Sequence, residues 1–175
     1  MSGIRIKITS KSLEFFILSL PVGSYYQIIG FGDNHKVYDD KPKEYNKNNI
    51  KNSLEMIKKF GADLGGANIA GPLKYIYDSD KIYEKIKLPR NIILLTDGDS
   101  SGEEEVLILI EQNNCKFILN TIGIGNDFDE DLIKNAAILG KGNYNFCKQL
   151  DNLNNINNII VSEINKATSF NVTNL

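Results

Sequence analysis

The 175-residue sequence has few of the residues on which cross-linking and redox chemistry depend, with two cysteines, one histidine, two methionines and no tryptophan. Two cysteines, Cys115 and Cys147, are too few for a disulfide framework. They could form one bridge, but we expect two reduced, buried side chains that behave as small hydrophobes. The low cysteine content therefore favours a reducing compartment, and we expect a cytoplasmic protein.

Neither positive nor negative charge is in excess, because the sequence has 20 Lys and Arg residues and 22 Asp and Glu residues, for a net charge of −2. This balance gives no support to nucleic acid or an anionic membrane as a partner. Apolar runs such as Ile92 to Leu95 are far shorter than the ~20 residues of a membrane-spanning helix, and no signal-peptide pattern begins the chain. With 42% hydrophobic and 24% charged residues, the composition is that of one soluble domain, with a core at about 5–166 and a C-terminal tail at 167–175.

Short apolar runs that end in Gly or Asp predict strands at Tyr25–Phe31, Asn91–Thr96 and Lys116–Ile122. The run Ile92 to Leu95 is apolar on both faces, as expected of a central parallel strand covered by helices. Two shorter strands are predicted at Tyr144–Phe146 and Lys36–Tyr38.

Helical patterns lie between these strands. Apolar residues recur at helical spacing over 50–60 and 69–76, and a last amphipathic helix is predicted over 153–164. We expect Ser100 or Ser101 to cap a helix that starts with three glutamates, and Asp127 to cap one that ends before Gly140. The alternation of strands and helices predicts an α/β domain with an open, mostly parallel sheet.

The N-terminal segment has two possible structures. Ile4, Ile6 and Ile8 alternate with charged residues as in a half-exposed strand, but a helix from about Arg5 to Leu20 accounts for more of the apolar residues. We therefore expect a helix, which leaves the domain without the strand that should precede it.

The most informative motif is Thr96-Asp97-Gly98-Asp99, directly after the central strand. Ligands bind beyond the carboxyl ends of strands in open α/β sheets, and carboxylates suit Mg²⁺ or Ca²⁺. Equally, Asp97 could open a turn and Asp99 could cap a helix without any metal.

The other candidates give little support to catalysis. Gly65-Gly66 precedes a helix, but neither this pair nor Gly123-Ile124-Gly125 completes a nucleotide-binding pattern. His35 lies in the polar loop Asp33-Asn34-His35 with no activated Ser or Cys near it in sequence. We assign no catalytic residue and expect a protein that is not an enzyme.

Taken in order, these motifs resemble a von Willebrand factor type A (VWA) domain, and most closely those that accompany VIT domains, as in inter-alpha-trypsin inhibitor heavy chains. The segments that carry the resemblance are Ser19 to Gly23, Ile29 to Gly32, Asp63 to Ile69, Leu94 to Gly98, Gly123 to Gly125 and Gly142 to Tyr144.

The resemblance implies a Rossmann-like domain that binds other proteins, often through a metal ion at the carboxyl edge of the sheet. The family's site combines an Asp-x-Ser-x-Ser motif after the first strand, a Thr after the Gly pair and the Asp of Thr-Asp-Gly. Here Asp97 matches the third element and is the one candidate metal ligand. Ala67 stands at the Thr position, and the first motif is missing.

Mg²⁺ needs near-octahedral oxygen coordination and Ca²⁺ about six to eight oxygens. One matched Asp, even with help from Asp99, would leave the ion held mostly by water. We therefore expect a degenerate site that binds no divalent metal tightly, with Mg²⁺ possible only if a longer chain supplies the missing motif.

The expected partner is a protein, bound at the edge formed by two segments, Gly65-Gly66-Ala67-Asn68 and Asp97-Gly98-Asp99. Because the family's first strand is central, we also expect that the sequence is an N-terminally truncated part of a larger protein. Two alternatives stay open: a Mg²⁺-dependent phosphate-binding or receiver-like domain that uses Asp97 and Asp99, and a remnant without function.

Overall fold

A three-stranded parallel sheet with helices on both faces forms the centre of the protein. The computed structural model describes residues 4–61, 65–96, 102–126, 128–148, 157–159 and 161–162. The sheet has the order β5-β6-β7, formed by Asn91–Thr96, Ile118–Ile124 and Lys141–Cys147. Its parallel register confirms the predicted α/β class.

The remaining elements precede the sheet or connect its strands. The helices are α1 (Ile4–Ser19), α2 (Lys47–Ile57), α3 (Ala70–Asp78), α4 (Asp80–Glu84), α5 (Glu103–Asn113) and α6 (Glu130–Leu139). The short strands are β1 (Tyr25–Tyr26), β2 (Ile29–Phe31), β3 (His35–Val37) and β4 (Lys43–Glu44). The residues 157–159 and 161–162 are also helical, in agreement with the predicted last helix where it is described.

Alternation along β5 divides the core into two layers. Leu94, together with the half-buried Ile92, packs against residues of α3, α5 and α6. Ile93 and Leu95 point to the other face and pack with Ile8 of α1. Both faces of the strand are therefore covered, which explains why the run is apolar throughout.

The N-terminal segment is helical, as predicted. Beyond its contact with the sheet, α1 buries Ile17 completely in a third cluster with Tyr26, Ile28 and Ile57. This cluster joins α1 to α2 and to the short strands, so α2 lies on the α1 side of the sheet.

The single strand predicted over Tyr25–Phe31 is wrong. The segment forms two short strands in different sheets, because β1 pairs with β4 whereas β2 pairs with β3, both antiparallel. Between them the amide of Gln27 donates to the Asp39 carbonyl at 2.6 Å and accepts from the Tyr83 hydroxyl at 2.6 Å. These bonds hold Gln27 in place between β1 and β2, where the chain passes from one small sheet to the other.

Two of the predicted helix starts were misplaced or lie outside the described residues. Asp129, not Asp127, caps α6, since its carboxylate accepts from the Leu132 N–H at 3.0 Å. Asp127 itself lies outside the described residues, as do Ser100 and Ser101. Gly102 stands at the N-cap position of α5 with a φ of 88° and no side-chain cap.

The two cysteines differ in their exposure. Cys147 is fully buried in the cluster under the sheet, and burial raises the pKa of its thiol. Cys115 is exposed, so the expectation of two buried side chains is correct only for Cys147.

An ion-pair cluster closes the amino end of the sheet. Asp80 pairs with Arg90, which precedes β5, and with Lys116 at 2.9 Å, which precedes β6. The hydrogen bond from Lys116, followed by that from Arg90, lowers the pKa of the Asp80 carboxyl. Arg90 also lies over the Phe117 ring at 5.4 Å, so the cluster joins α4 to two strands.

Among the described residues, no strand pairs with β5 on the side away from β6, and we call this the open side of β5. In the described part of the chain β5 pairs with β6 alone, and β2 pairs with β3 alone. Phe31 of β2 nevertheless packs on the same cluster as Leu94 of β5, so the two strands share one core without a described ladder between them.

Candidate functional site

Two loops from distant parts of the chain meet beyond the carboxyl end of β2. The Gly32 N–H donates to the Asn34 carbonyl at 2.8 Å, which closes the turn between β2 and β3. The Asn68 N–H donates to the Gly32 carbonyl at 2.7 Å. This bond ties the segment before α3 to the turn and makes the two loops one surface, which we call the carboxyl edge (32–35 and 65–68).

Asp33 packs against the glycine pair that the sequence singled out. A Cβ atom added to Gly65 or Gly66 would overlap the Asp33 carboxylate, and Gly65 also has a φ of +72°. The left-handed backbone at Gly65 favours glycine, whereas the Asp33 carboxylate is the end of an exposed side chain that can turn away from an added Cβ.

Asn68, predicted as a site residue, has a structural role. Its side-chain oxygen accepts from the Gly71 N–H at 3.0 Å, which caps the first turn of α3. The rest of the side chain is exposed, so Asn68 holds the edge in shape and presents an amide to solvent.

Ala67 is half-buried between these residues and offers only a methyl group. The other predicted members of the site, Asp97, Gly98 and Asp99, lie outside the described residues. Thr96, which directly precedes them in sequence, is buried at the end of β5.

His35 closes one side of the carboxyl edge. Its ring lies 5.4 Å from that of Tyr75 on α3, at a tilted angle. The imidazole is exposed, and the described part of the edge holds no Ser or Cys beside it for nucleophilic catalysis.

An aromatic cluster borders the carboxyl ends of β6 and β7. Phe128 stacks on Phe146 with centroids 5.2 Å apart, and Tyr144 lies 5.6 Å from Phe146. Lys148 covers the Phe146 ring at 5.9 Å, while Tyr144 is 40% exposed. The cluster provides amphipathic surface of the kind enriched in protein interfaces.

Sequence reasoning missed Asp33. Its position directly after a strand and turn was visible, as it was for Asp97, but the loop was assigned no role. Only the fold shows that Asp33 contacts the Gly65-Gly66 pair, because more than 30 positions separate them in sequence.

The described side chains do not form a metal centre. No group of three or more His, Cys, Asp or Glu residues within the described ranges is arranged to hold an ion. None of the helices described there is long and apolar enough to cross a membrane.

Comparison with known proteins identifies the family of this fold. A family model described as von Willebrand factor type A domain matches residues 1–146. The chain is 31% identical over 152 residues to von Willebrand factor A domain-containing protein 5A of Rattus norvegicus, covering 87% of this chain and 18% of that protein. It is 32% identical over 154 residues to a von Willebrand factor A domain-containing protein of Dictyostelium discoideum, covering 87% and 16%.

Solved structures have the same fold at low sequence identity. A von Willebrand factor type A structure from Catenulispora acidiphila covers 92% of this chain and 38% of its own, with 15% identity and a TM-score of 0.79. A structure of proximal thread matrix protein 1 from the mussel byssus covers 89% and 39%, with 18% identity and a TM-score of 0.65. The chain spans less than a fifth of the length of the rat and Dictyostelium relatives.

Proposed function

Because the chain belongs to the von Willebrand factor type A family, we propose that it is a non-catalytic protein-interaction module whose partner binds at the carboxyl edge. The observation that carries the proposal is the hydrogen bond from Asn68 to Gly32, which joins two loops into one exposed polar surface. Loops fixed on a rigid sheet are common positions for binding residues.

The proposed surface contains Gly65, Gly66, Ala67 and Asn68, to which the fold adds Asp33. Asp97, Gly98 and Asp99 are assigned to it from sequence alone. The aromatic cluster around Phe146 lies at the carboxyl ends of β6 and β7, toward the opposite edge of the sheet, and is not part of this surface.

We propose that this surface acts without a tightly bound metal ion. The mussel protein is described with a zinc-occupied metal-ion-dependent adhesion site, and that property belongs to the mussel protein. In this chain Ala67 offers no oxygen at the family's Thr position, and Asp33 is the one carboxylate among the described residues of the edge. These donors do not fit a hard cation that requires six or more oxygens.

The proposed partner is a protein in the cytoplasm and not a nucleic acid or a membrane. The net charge of −2 supports this choice, since nucleic-acid surfaces and anionic lipids select basic proteins. A protein that carries little net charge suits a partner that is selected by shape and hydrogen bonding.

We further propose that the chain is part of a longer, VIT-associated protein that supplies a strand between β2 and β5. The chain covers less than a fifth of the length of the rat and Dictyostelium relatives, which supports a longer protein. The open side of β5, together with the shared packing of Phe31 and Leu94, supports a strand at that position. The rival phosphate-binding function depends on Asp97 and Asp99, and no observation on the described residues favours it over binding.

Substitution at the edge tests the proposed surface. The chain would serve as bait in an extract of its source cells, next to Ala67→Lys at the edge and Asn135→Lys, a matched change at an exposed position of α6. We expect a set of proteins that the unaltered chain and Asn135→Lys capture, that Ala67→Lys loses, and that a chelator does not affect. Capture that depends on metal, or that Ala67→Lys leaves intact, would contradict the proposal.

A further inference from the structure

A groove with a basic rim runs along α2. It has a volume of about 630 Å³ and is lined by Tyr45, Asn46 and Glu55 together with six residues that we call the basic groove: Val22, Lys47, Ile50, Lys51, Leu54 and Lys58. Its three lysines repeat along one side of the helix, and the apolar residues lie between them.

Two features of the basic groove favour the binding of a partner. Val22 is 92% exposed, although a valine side chain gains about 1.5 kcal/mol or more from burial. Within the described part of the chain, no carboxylate lies within ion-pair distance of any of the three lysines. A local excess of lysine also departs from the balanced charge of the whole chain.

A surface of opposite character lies on α5. Five residues form what we call the acidic face, and no basic residue is among them: Glu104, Glu105, Ile108, Leu109 and Gln112. Ile108 is 48% exposed at its centre. The acidic face therefore presents an apolar side chain beside carboxylates, as the basic groove presents apolar side chains beside ammonium groups.

The two surfaces cannot meet within one molecule. α2 packs with α1 on the side of the sheet that Ile93 and Leu95 face, whereas α5 packs on the side that Leu94 faces. Both helices have 11 residues, which gives each a length of about 16 Å. A second copy can therefore place its α5 along α2 with matched length and opposite charge.

We propose that the acidic face of α5 in one copy docks into the basic groove of α2 in a second copy. Such a contact joins unlike surfaces, so each molecule keeps one surface free for the next and the association is head-to-tail. One helix face on each side buries less than the ~800 Å² per partner of a stable complex, so the association is weak and sensitive to salt.

Charge reversal with mutual rescue tests this contact. In sedimentation velocity at low salt we expect the average mass of the unaltered chain to rise with protein concentration, and to fall to the monomer near 1 M NaCl, where the Debye length is about 3 Å. Lys51→Glu alone and Glu105→Lys alone should stay monomeric, because each opposes like charges. Their equimolar mixture should associate again, because the altered groove of one then meets the altered α5 of the other.

Two matched variants control for net charge and for helix stability. Lys134→Glu and Asp131→Lys make the same charge changes at exposed positions of α6, and both should associate like the unaltered chain. Circular dichroism melting curves verify that every variant is folded. A chain that is monomeric at all concentrations, a mixture that does not associate, or controls that lose association equally would each overturn the proposal.

Discussion

At the scale of single residues, the contact of Asp33 with Gly65 gives a sharp prediction. Gly65→Ala adds a Cβ that overlaps the carboxylate at a φ of +72°, whereas Gly23→Ala places one in open space at a φ of +89°. The left-handed backbone costs either alanine about 1–2 kcal/mol. Because the overlapping carboxylate is the end of an exposed side chain that can turn away, chemical denaturation should show similar losses of unfolding free energy for Gly65→Ala and Gly23→Ala.

The loss for Gly65→Ala should also be independent of Asp33. In the background of Asp33→Ala, Gly65→Ala should again cost about as much as Gly23→Ala, because the backbone conformation sets the cost in both cases. A clearly larger loss for Gly65→Ala in the unaltered background, which Asp33→Ala removes, would show that the Asp33 carboxylate is held rigidly against the pair.

Asp80 gives a pH-dependent prediction at the same scale. Its ion pairs hold its folded pKa below 3.8, so the stability they add is present at neutral pH and is lost as the pH falls through the folded pKa. Asp80→Asn should lower the melting temperature at pH 7 by roughly 1–4 °C. The difference from the unaltered chain should begin to shrink below about pH 3.8 and disappear only when the pH is below the folded pKa.

The matched control is Asp78→Asn, at an exposed position two residues earlier with no described ion pair. Melting curves from pH 2 to 7 should show little difference between Asp78→Asn and the unaltered chain. An Asp80→Asn difference that stays constant down to the lowest pH would contradict the assigned ion pairs.

At the scale of elements, the N-cap of α6 gives a prediction that distinguishes Asp129 from a neighbouring carboxylate. Asp129→Ala removes the bond to the Leu132 N–H and should cost about 1 kcal/mol of unfolding free energy, as is usual for N-caps. Asp131→Ala, one residue inside the helix and exposed, should cost a few tenths of a kcal/mol through the helix dipole. Similar losses in denaturant titrations would mean that Asp129 does not cap the helix.

Long elements were predictable and short ones were not, for a physical reason. β5 carries four successive apolar residues, and α2 carries apolar residues at helical spacing, so each is determined by its own sequence pattern. β1 and β2 have two and three residues and exist because β4 and β3 lie beside them. Their break at Gln27 depends on Tyr83, 56 positions away, which no local pattern can encode.

At the scale of the whole molecule, the order of motifs predicted the family and the α/β class. The assignment of Asp97, Gly98 and Asp99 to the carboxyl edge stays a prediction, because these residues lie outside the described part of the chain. The contact of Asp33 with the glycine pair and the opposite surfaces on α2 and α5 could not be predicted, since each depends on how distant segments pack.

The open side of β5 gives a prediction for the longer chain that we propose. Adding the upstream segment proposed to supply the extra strand should raise the melting temperature by roughly 10 °C or more, since about 1 kcal/mol corresponds to ~2–4 °C at this size. A Gly/Ser extension of equal length is the control and should have no effect. Equal melting temperatures for the chain with and without the upstream segment would refute a missing central strand.

The central claim is that the carboxyl edge works as a protein-binding surface without a tightly held metal ion. Calorimetric titration of Mg²⁺, Ca²⁺ and Mn²⁺ into the chain, with Asp97→Ala beside it, tests this claim most directly. We predict no site of better than millimolar affinity and no difference between the two proteins, because Ala67 supplies no oxygen ligand. A micromolar site in the unaltered chain that Asp97→Ala abolishes would contradict the account.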